Sequence, residues 1–430
     1  MKKFVAVVLL PVLALVLCAA MEPTVHAFHE SGRRSCGAGD RGRLIDFERV
    51  ASYPTAADAR AYFYEWIAFY DFLYKFPDTI PGVRFTNGFD SYKVTYCTVD
   101  AVLPGQSKAK PTVVTGMVSV PRKSGPLPTV AYVHGTSVSF YDAPSNPNIF
   151  GSFEERGESF EGAPGNSVFA GNGFIVVAPD YLGLGDSTVP RHRYFHADTV
   201  ASASVDMLVA SQRVLSKLRV QQSGKLFTFG FSQGGHSALA LHRELQNLGV
   251  RVAGTATVGG IFDVEQWFLS LLENETSVTL PLYASYLMLA YDDVYDVFDS
   301  TNQVWRQPYA STVAGLFDMQ HFFDDVLAGL GPTSRQTFKP SFFARVTTDA
   351  QQSMRVRLRE NAVDNWAPYA PIRVFQSHDD EEVPFEMMQP SVDRLRRHGA
   401  DVSVRIASGD HVTSWILSLP RALNWFRSLE

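Results

Sequence analysis

The residues best suited to chemistry form a G-x-S-x-G motif around Ser232. An apolar stretch runs into Gly230, and residues 236–248, which follow Gly234, are rich in Ala and Leu with helical spacing. A strand, a sharp turn and a helix in this order are typical of a nucleophile elbow, which exposes a serine hydroxyl at the edge of a sheet. Glycine at 230 and 234 lets strand and helix approach closely. The N–H of Gln233 lies at the helix N-terminus, where it can stabilise an oxyanion.

A serine nucleophile needs a general base, and His411 is the best placed of the eleven histidines. It directly follows the last predicted strand, so it should lie at the carboxyl edge of a parallel sheet, beside Ser232. His134, His236 and His378 also fall near strand ends. We assign His134 to an oxyanion loop, His236 to packing on the elbow helix and His378 to the loop that carries the acid.

The base in turn needs a carboxylate to fix its tautomer, and the expected order along the chain is serine, acid, histidine. A predicted strand leads into four consecutive acids at 379–382. We choose Asp380 because it stands four residues before Pro384, which gives the spacing acid-x-x-Val-Pro that we associate with this loop. Asp379 and, after an earlier strand, Asp263 are the alternatives. No second group of ligands has matching spacing, so no metal site is predicted.

A second oxyanion donor is expected from the loop after the third predicted strand of the core. The segment His134-Gly135-Thr136 occupies this position. The N–H of Thr136 is our candidate, and its hydroxyl could add a hydrogen bond. A glycine turn that only connects two elements is the alternative.

The elements that must position these residues alternate between strand and helix from residue 112 onward. Strands are predicted at 92–101, 112–120, 129–133, 174–178, 225–231, 252–258, 372–376 and 402–406. Helices are predicted at 62–76, 165–171, 198–218, 236–248, 384–397 and 412–428. This alternation is typical of an α/β fold with a mostly parallel sheet covered on both faces.

The alternation stops between residues 261 and 368. Helix-like stretches rich in Leu, Phe, Tyr and Met follow instead, at 264–272, 283–297, 312–327 and 350–361. We interpret this insertion as a helical cap or lid whose apolar side chains, from Trp267 to Phe343, could line a pocket as well as pack on the core. The remaining predicted units are an N-terminal segment packed on the core (28–90) and a core in two parts (91–260 and 369–430).

The composition is that of an ordinary globular chain. Of its 430 residues 46% are hydrophobic and 19% charged, which provides ample core. The formal net charge is -6 and there is no long basic run, so no nucleic-acid partner is expected.

The N-terminus has the pattern of a secretory signal peptide at 1–27. Lys2 and Lys3 precede an apolar run, and Val25-His26-Ala27 offers a cleavage site after Ala27, with Ala20 as the alternative. The apolar run is slightly short for a membrane anchor. We therefore expect an extracellular protein.

Cysteine usage agrees with export. Cys18 falls in the signal peptide, which leaves Cys36 and Cys97. An even number of cysteines in an exported chain predicts a disulfide, here between the N-terminal segment and the first predicted strand. Two unpaired thiols are the alternative.

Four segments resemble the α/β-hydrolase superfamily. They are His-Gly-Thr (134–136), Ala-Pro-Asp-Tyr-Leu-Gly-Leu-Gly-Asp-Ser (178–187), Phe-His-Ala-Asp-Thr (195–199) and Gly-Phe-Ser-Gln-Gly-Gly-His (230–236). Within it, they are most similar to secretory lipases of the fungal lipase-A type and their bacterial relatives, from residue 92 to the C-terminus. The resemblance implies a triad of Ser232, Asp380 and His411, a helical cap, and ester hydrolysis without a cofactor. The chain departs from the pattern at Ser377-His378, where a glycine is common.

Together these features predict a secreted serine hydrolase that cleaves carboxylic esters through an acyl-enzyme. A small ester or lipid is the expected substrate, with transient contact between the cap and a lipid interface as a further option and no obligate protein partner. One alternative is a serine peptidase of the prolyl-oligopeptidase or aminopeptidase type, because the same triad cleaves amides. The other is a non-catalytic binding protein on the same scaffold.

Overall fold

The computed structural model describes residues 28–29, 35–74, 76–77, 79–146, 161–274 and 277–430. The predicted signal peptide lies outside the described residues. Within those ranges, no helix is both long enough and apolar enough to cross a membrane.

In the described part of the chain, ten strands form one sheet in the order β1-β2-β3-β4-β6-β5-β7-β8-β9-β10. The strands are β1 (Phe28–His29), β2 (Leu44–Tyr53), β3 (Phe89–Val99), β4 (Pro111–Pro121), β5 (Leu127–Val133), β6 (Ile175–Pro179), β7 (Gln222–Phe231), β8 (Gly254–Val258), β9 (Ile372–Ser377) and β10 (Val402–Ala407). Pairing is antiparallel from β1 to β4 and between β4 and β6, and parallel from β6 through β10. The carboxyl ends of β5, β7, β8, β9 and β10 therefore meet at one edge.

The α-helices of the described residues either cover the two faces of the parallel strands or lie between β8 and β9 in the chain. They are α1 (Ala56–Tyr74), α2 (Gly162–Ala170), α3 (Ala197–Lys217), α4 (Gln233–Asn247), α5 (Val264–Glu273), α6 (Leu280–Tyr295), α7 (Tyr309–Leu316), α8 (Phe323–Ala328), α9 (Ser334–Thr337), α10 (Pro340–Thr348), α11 (Ser353–Glu360), α12 (Phe385–Arg397) and α13 (His411–Arg427). Side chains of α1, α2 and α13 share one apolar cluster, and those of α3, α4 and α12 share another with the helices that follow β8. Because neighbouring residues of a strand point to opposite faces, Val130 and Tyr132 join the first cluster and Ala131 and Val133 the second.

The N-terminal segment extends the sheet, which was not predicted from the sequence. Strand β2 pairs with β3 from Leu44 to Tyr53, and the predicted boundary at residue 91 falls inside β3. Much of β2 is only partly buried, so its apolar alternation is weak and was not recognised as a strand. Helix α1 does pack on the core, where the ring of Trp66 lies 5.8 Å from that of Trp415.

Helices α5 to α11 occupy the stretch interpreted as a cap. The predicted single helix at 312–327 is wrong: α7 and α8 are separate, and Met319 between them has a positive φ of 66°. Helices α9 and α10 were not predicted. Apolar side chains such as Trp267, Tyr286 and Phe317 are almost fully buried in one cluster with the core. Much of the cap's apolar surface therefore serves its own packing.

Cys36 and Cys97 form the predicted disulfide, 61 residues apart in sequence. Cys97 is fully buried in β3. Close by, the N–H of Gly42 donates to the carbonyl of Cys97, so the chain before β2 is attached to β3 by covalent and hydrogen bonds.

We expect the Cys36→Ser/Cys97→Ser double variant to unfold at lower denaturant concentration, with a loss of about 4 kcal/mol in the free energy of unfolding. The reason is the loop-closure entropy of a 61-residue separation. Urea unfolding of parent and variant, analysed for midpoint and slope, measures this loss. Ellman titration of the denatured, unreduced parent is the control, and two free thiols there would disprove the pairing.

Candidate active site

The predicted elbow is present, and Ser232 alone forms the turn. Strand β7 ends at Phe231 and α4 begins at Gln233. The φ and ψ of Ser232 are 56° and −122°, a conformation that L-residues rarely adopt and that costs about 1–3 kcal/mol at such sites. Its N–H donates to the carbonyl of Val258 at 2.9 Å, which anchors the turn to β8. The strained turn holds the hydroxyl at the carboxyl edge of the sheet.

The two glycines of the motif are sterically required. A Cβ on Gly230 would overlap the carbonyl of Gly234, and a Cβ on Gly234 would overlap the carbonyl of Val133. Both contacts are with backbone, which cannot move aside without breaking the sheet or the helix. The role predicted for these glycines therefore follows from the close approach of β7, α4 and β5.

His411 lies beside the elbow and is paired with Asp380. Its Nδ1–H donates to Oδ2 of Asp380 at 2.8 Å, and its ring centre lies 4.6 Å from that of Phe231, the residue before Ser232. Within the described residues, Nε2 of His411 has no hydrogen-bond partner. The ring is 6% exposed. His411 is thus oriented by a carboxylate on Nδ1, while Nε2 makes no hydrogen bond to a described residue. Catalytic hydrogen bonds are often long or absent without substrate.

Asp380 is held by hydrogen bonds on both oxygens. Oδ1 accepts the N–H groups of Glu382 at 3.1 Å and Val383 at 2.9 Å. Oδ2 accepts the side-chain amide of Gln376 at 3.2 Å in addition to the imidazole of His411. A buried carboxylate with four donors has a fixed orientation, so it can hold one tautomer of the histidine.

The alternative carboxylates lie elsewhere. Asp379 is exposed. The side chain of Asp263 accepts the N–H of Gln266 and so caps α5. Its Oδ2 also accepts a guanidinium N–H of Arg394 at 2.6 Å. The structure therefore brings only Asp380 of the three candidates to His411. Within the described residues no group of three or more His, Cys, Asp or Glu side chains could hold a metal ion.

The other histidines near strand ends have structural surroundings. Burial lowers the pKa of His134 to about 4 and that of His236 to about 3. The ring of His134 stacks on Tyr181, and Nε2–H of His236 donates to the carbonyl of Asn361 at 2.8 Å. His378 is exposed.

The predicted oxyanion loop lies against the elbow. A Cβ on Gly135 would be 3.2 Å from the carbonyl of Phe231. The N–H of Gly135 already donates to Oε1 of Glu161 at 2.5 Å, so Thr136 stays our candidate for the oxyanion N–H. The hydroxyl of Thr136 is hydrogen-bonded to that of Tyr194 at 2.7 Å, and either hydroxyl can be the donor.

The side chain of Gln233 is held by a hydrogen bond to His192. Its side-chain amide contacts Nε2 of His192 at 2.6 Å, and Nδ1–H of His192 donates to the carbonyl of Leu182 at 2.9 Å. Burial lowers the pKa of His192 to about 3, so its Nε2 is a hydrogen-bond acceptor at neutral pH. These hydrogen bonds fix the position of Gln233, whose backbone N–H is the first predicted oxyanion donor.

Several carboxylates surround His411. Burial opposes its protonation, but Asp380, Glu382 and Glu161 together outweigh burial and raise the pKa of His411 to about 9. Oε2 of Glu382 lies 3.8 Å from Nε2 of His411. Burial raises the pKa of the Glu161 carboxyl well above its usual range. Asp380 and Glu382 therefore favour the imidazolium form of His411 in the resting site.

Gly259, Glu161 and His192 also lie near the site and were not predicted from the sequence. A Cβ on Gly259, whose φ is +53°, would lie 2.9 Å from Cε1 of His411, so glycine makes room for the ring. The only available signal was a Gly-Gly pair after a predicted strand. Glu161 and His192 lie in loops and approach the site only through folding, so no local pattern points to them.

Comparison with known proteins agrees with this architecture. A family model described as the alpha/beta hydrolase family matches residues 130–424. A secreted triacylglycerol lipase from Malassezia furfur is 22% identical over 269 residues, which is 59% of this chain and 53% of that protein. This chain therefore spans about half the length of that relative.

Two solved structures share the fold. The rice cell wall degrading esterase LipA from Xanthomonas oryzae matches with a TM-score of 0.74 at 24% identity, over 90% of this chain and 98% of that one. Candida antarctica lipase A in its closed state matches with a TM-score of 0.63 at 15% identity, over 90% and 82%. With the family model covering most of its length, the chain belongs to the alpha/beta hydrolase family.

Proposed function

We propose that this protein is a serine hydrolase that cleaves carboxylic esters through an acyl-enzyme. The observation that carries the proposal is the pairing of His411 with Asp380 at 2.8 Å beside the strained elbow of Ser232. A nucleophile, a base and an orienting acid in this arrangement support acyl transfer. The lipase and esterase among the similar proteins favour an ester over an amide as substrate.

The proposed reaction has two steps. Ser232 Oγ attacks the ester carbonyl while Nε2 of His411 takes its proton, and the N–H groups of Gln233 and Thr136 stabilise the oxyanion. His411 then gives the proton to the leaving alkoxide. In the second step His411 removes a proton from water, which attacks the acyl-enzyme, and His411 then returns this proton to Ser232 Oγ as the acid leaves. Asp380 keeps the proton of Nδ1 in place throughout.

A panel of p-nitrophenyl acyl esters beside aminoacyl p-nitroanilides tests the reaction class. We expect hydrolysis of the esters, and inactivation by a serine-directed phosphonate that leaves one adduct on Ser232. Faster cleavage of an anilide than of every ester would replace the proposal with a peptidase. Hydrolysis of neither group, with no adduct, would indicate a non-catalytic binding protein.

The substrate proposal rests on the apolar cap. We expect kcat/KM to rise from acetyl to octanoyl esters by about fourfold per methylene until the pocket is full, because each buried CH₂ contributes about 0.8 kcal/mol. Because Trp267, Tyr286 and Phe317 are almost fully buried, we expect the cap to rearrange when a long chain binds. Initial rates over the ester series measure the slope. A flat or falling series would leave a short-chain esterase.

We also propose that the protein is exported. The Cys36–Cys97 disulfide is typical of an oxidising compartment, and the N-terminal signal pattern provides a route to one. The similar Malassezia protein is a secreted lipase. N-terminal sequencing of the protein from culture medium tests this proposal, and residue 28 is the expected first residue.

A further inference from the structure

The active site contains a second carboxylate that the proposed reaction does not use. Oε2 of Glu382 lies 3.8 Å from Nε2 of His411, the nitrogen that must accept the proton of Ser232. The same oxygen accepts the hydroxyl of Tyr283 at 2.8 Å. His411 therefore lies between two carboxylates, Asp380 on Nδ1 and Glu382 on Nε2.

Glu382 is held at this position from several directions. Its N–H donates to Asp380 at 3.1 Å, and its carbonyl accepts Nε1–H of Trp267 at 3.0 Å. Trp267 belongs to α5 and Tyr283 to α6, so two helices of the cap fix one residue of the acid loop. The side chain is 25% exposed, so the carboxylate is largely shielded from solvent.

We propose that Glu382 is a positioning residue that holds the protonated imidazole of His411 in the resting enzyme and so shifts hydrolysis toward alkaline solution. This inference rests on the proposed function, in which His411 must be neutral to accept a proton. Tyr283 keeps the carboxylate in place, which makes the cap part of this control.

The acidic groups around His411 all favour its protonated form. His411 is faced by Asp380 and Glu382 from the acid loop and by Glu161 from the turn before α2, and together they raise its pKa to about 9 against the effect of burial. Burial raises the pKa of the Glu382 carboxyl, and the negative charges of Asp380 and Asp410 raise it further. The positive charge of His411 and the hydrogen bond from Tyr283 lower it.

The sign of the pH effect follows directly. Below its pKa, His411 is an imidazolium and cannot take the proton of Ser232, so kcat/KM rises as pH passes that value. Removing the charge of Glu382 removes one of the groups that favour the imidazolium. A carboxylate within 4–6 Å shifts a partner's pKa by roughly 1–3 units, so the acidic limb of the profile should move down by at least about one unit.

Glu382→Gln tests the inference, with Glu381→Gln as the matched control. Glu381 is the preceding residue and exposed, so its substitution removes the same charge without touching His411. For each enzyme, kcat/KM at pH 7 is divided by its value on the alkaline plateau. We expect this ratio to be about tenfold higher in Glu382→Gln than in the parent, because the pKa of His411 falls by about one unit. Glu381→Gln should follow the parent profile. Tyr283→Phe should also move the acidic limb of the pH profile to lower pH, by a smaller amount. This variant replaces Glu382→Gln as the test if Glu382→Gln fails to fold.

A titration of the His411 imidazole by ¹H–¹⁵N NMR, assigned by its loss in His411→Ala, gives a readout that needs no hydrolysis. A lower midpoint in Glu382→Gln supports the inference. An unchanged midpoint and limb overturn it, and the proposed function stands if Ser232→Ala is still inactive. An equal shift in Glu381→Gln also overturns it, because net charge would then explain the effect.

Discussion

The Ser232→Ala variant is expected to lose ester hydrolysis by about 10⁶-fold while remaining folded, because loss of a triad serine removes the nucleophile itself. The elbow makes this assignment specific, since Ser232 is the single residue between β7 and α4 and its neighbours Gly230 and Gly234 permit no side chain. Burst and steady-state rates with the best p-nitrophenyl ester measure the loss. Activity within tenfold of the parent would show that another residue is the nucleophile.

Ser232→Gly is the matched control for folding. It removes the same hydroxyl, but glycine tolerates the φ of 56° that strains serine and alanine alike. We therefore expect both variants to be equally inactive and the glycine variant to unfold at a higher temperature than the alanine variant. Scanning calorimetry measures the difference. If the two have the same melting temperature, the turn is not strained as described.

Asp380→Asn is expected to lower kcat by about 10⁴-fold with a much smaller change in KM. Oδ2 of Asp380 accepts Nδ1–H of His411 at 2.8 Å, and an asparagine amide placed there would favour the tautomer with the proton on Nε2. In that tautomer His411 cannot accept the proton of Ser232. The pH profile of kcat for parent and variant, with circular dichroism to confirm folding, measures the effect.

Asp379→Asn is the control for this prediction. The residue precedes Asp380 but is exposed, so we expect removal of its charge to leave kcat nearly unchanged. If Asp379→Asn is the crippling variant, the loop adopts another arrangement in solution. If neither matters, the role of the acid passes to Asp263, in spite of its pairing with Arg394.

The parallel half of the fold could be predicted from local sequence. Strands β5 to β10 are short apolar runs, and α3, α4 and α13 follow or precede them with helical periodicity, so alternation alone implied their arrangement. The antiparallel half was harder. Much of strand β2 is only partly buried and lacks a strong pattern, and it is recognisable as a strand only because β3 pairs with it. The break between α7 and α8 was missed because the apolar pattern continues through Phe317 and Met319.

The sequence by itself determined the residue types of the site and the edge at which they meet. Ser232 lies in a motif whose glycines are required by backbone contacts, and His411 and Asp380 follow strands whose carboxyl ends must converge. Tertiary structure decided which of the neighbouring acids pairs with His411, because that depends on which carboxyl turns inward in a loop. It also decided the electrostatics, since Glu161 and Glu382 approach the imidazole from different parts of the chain and no spacing rule connects them.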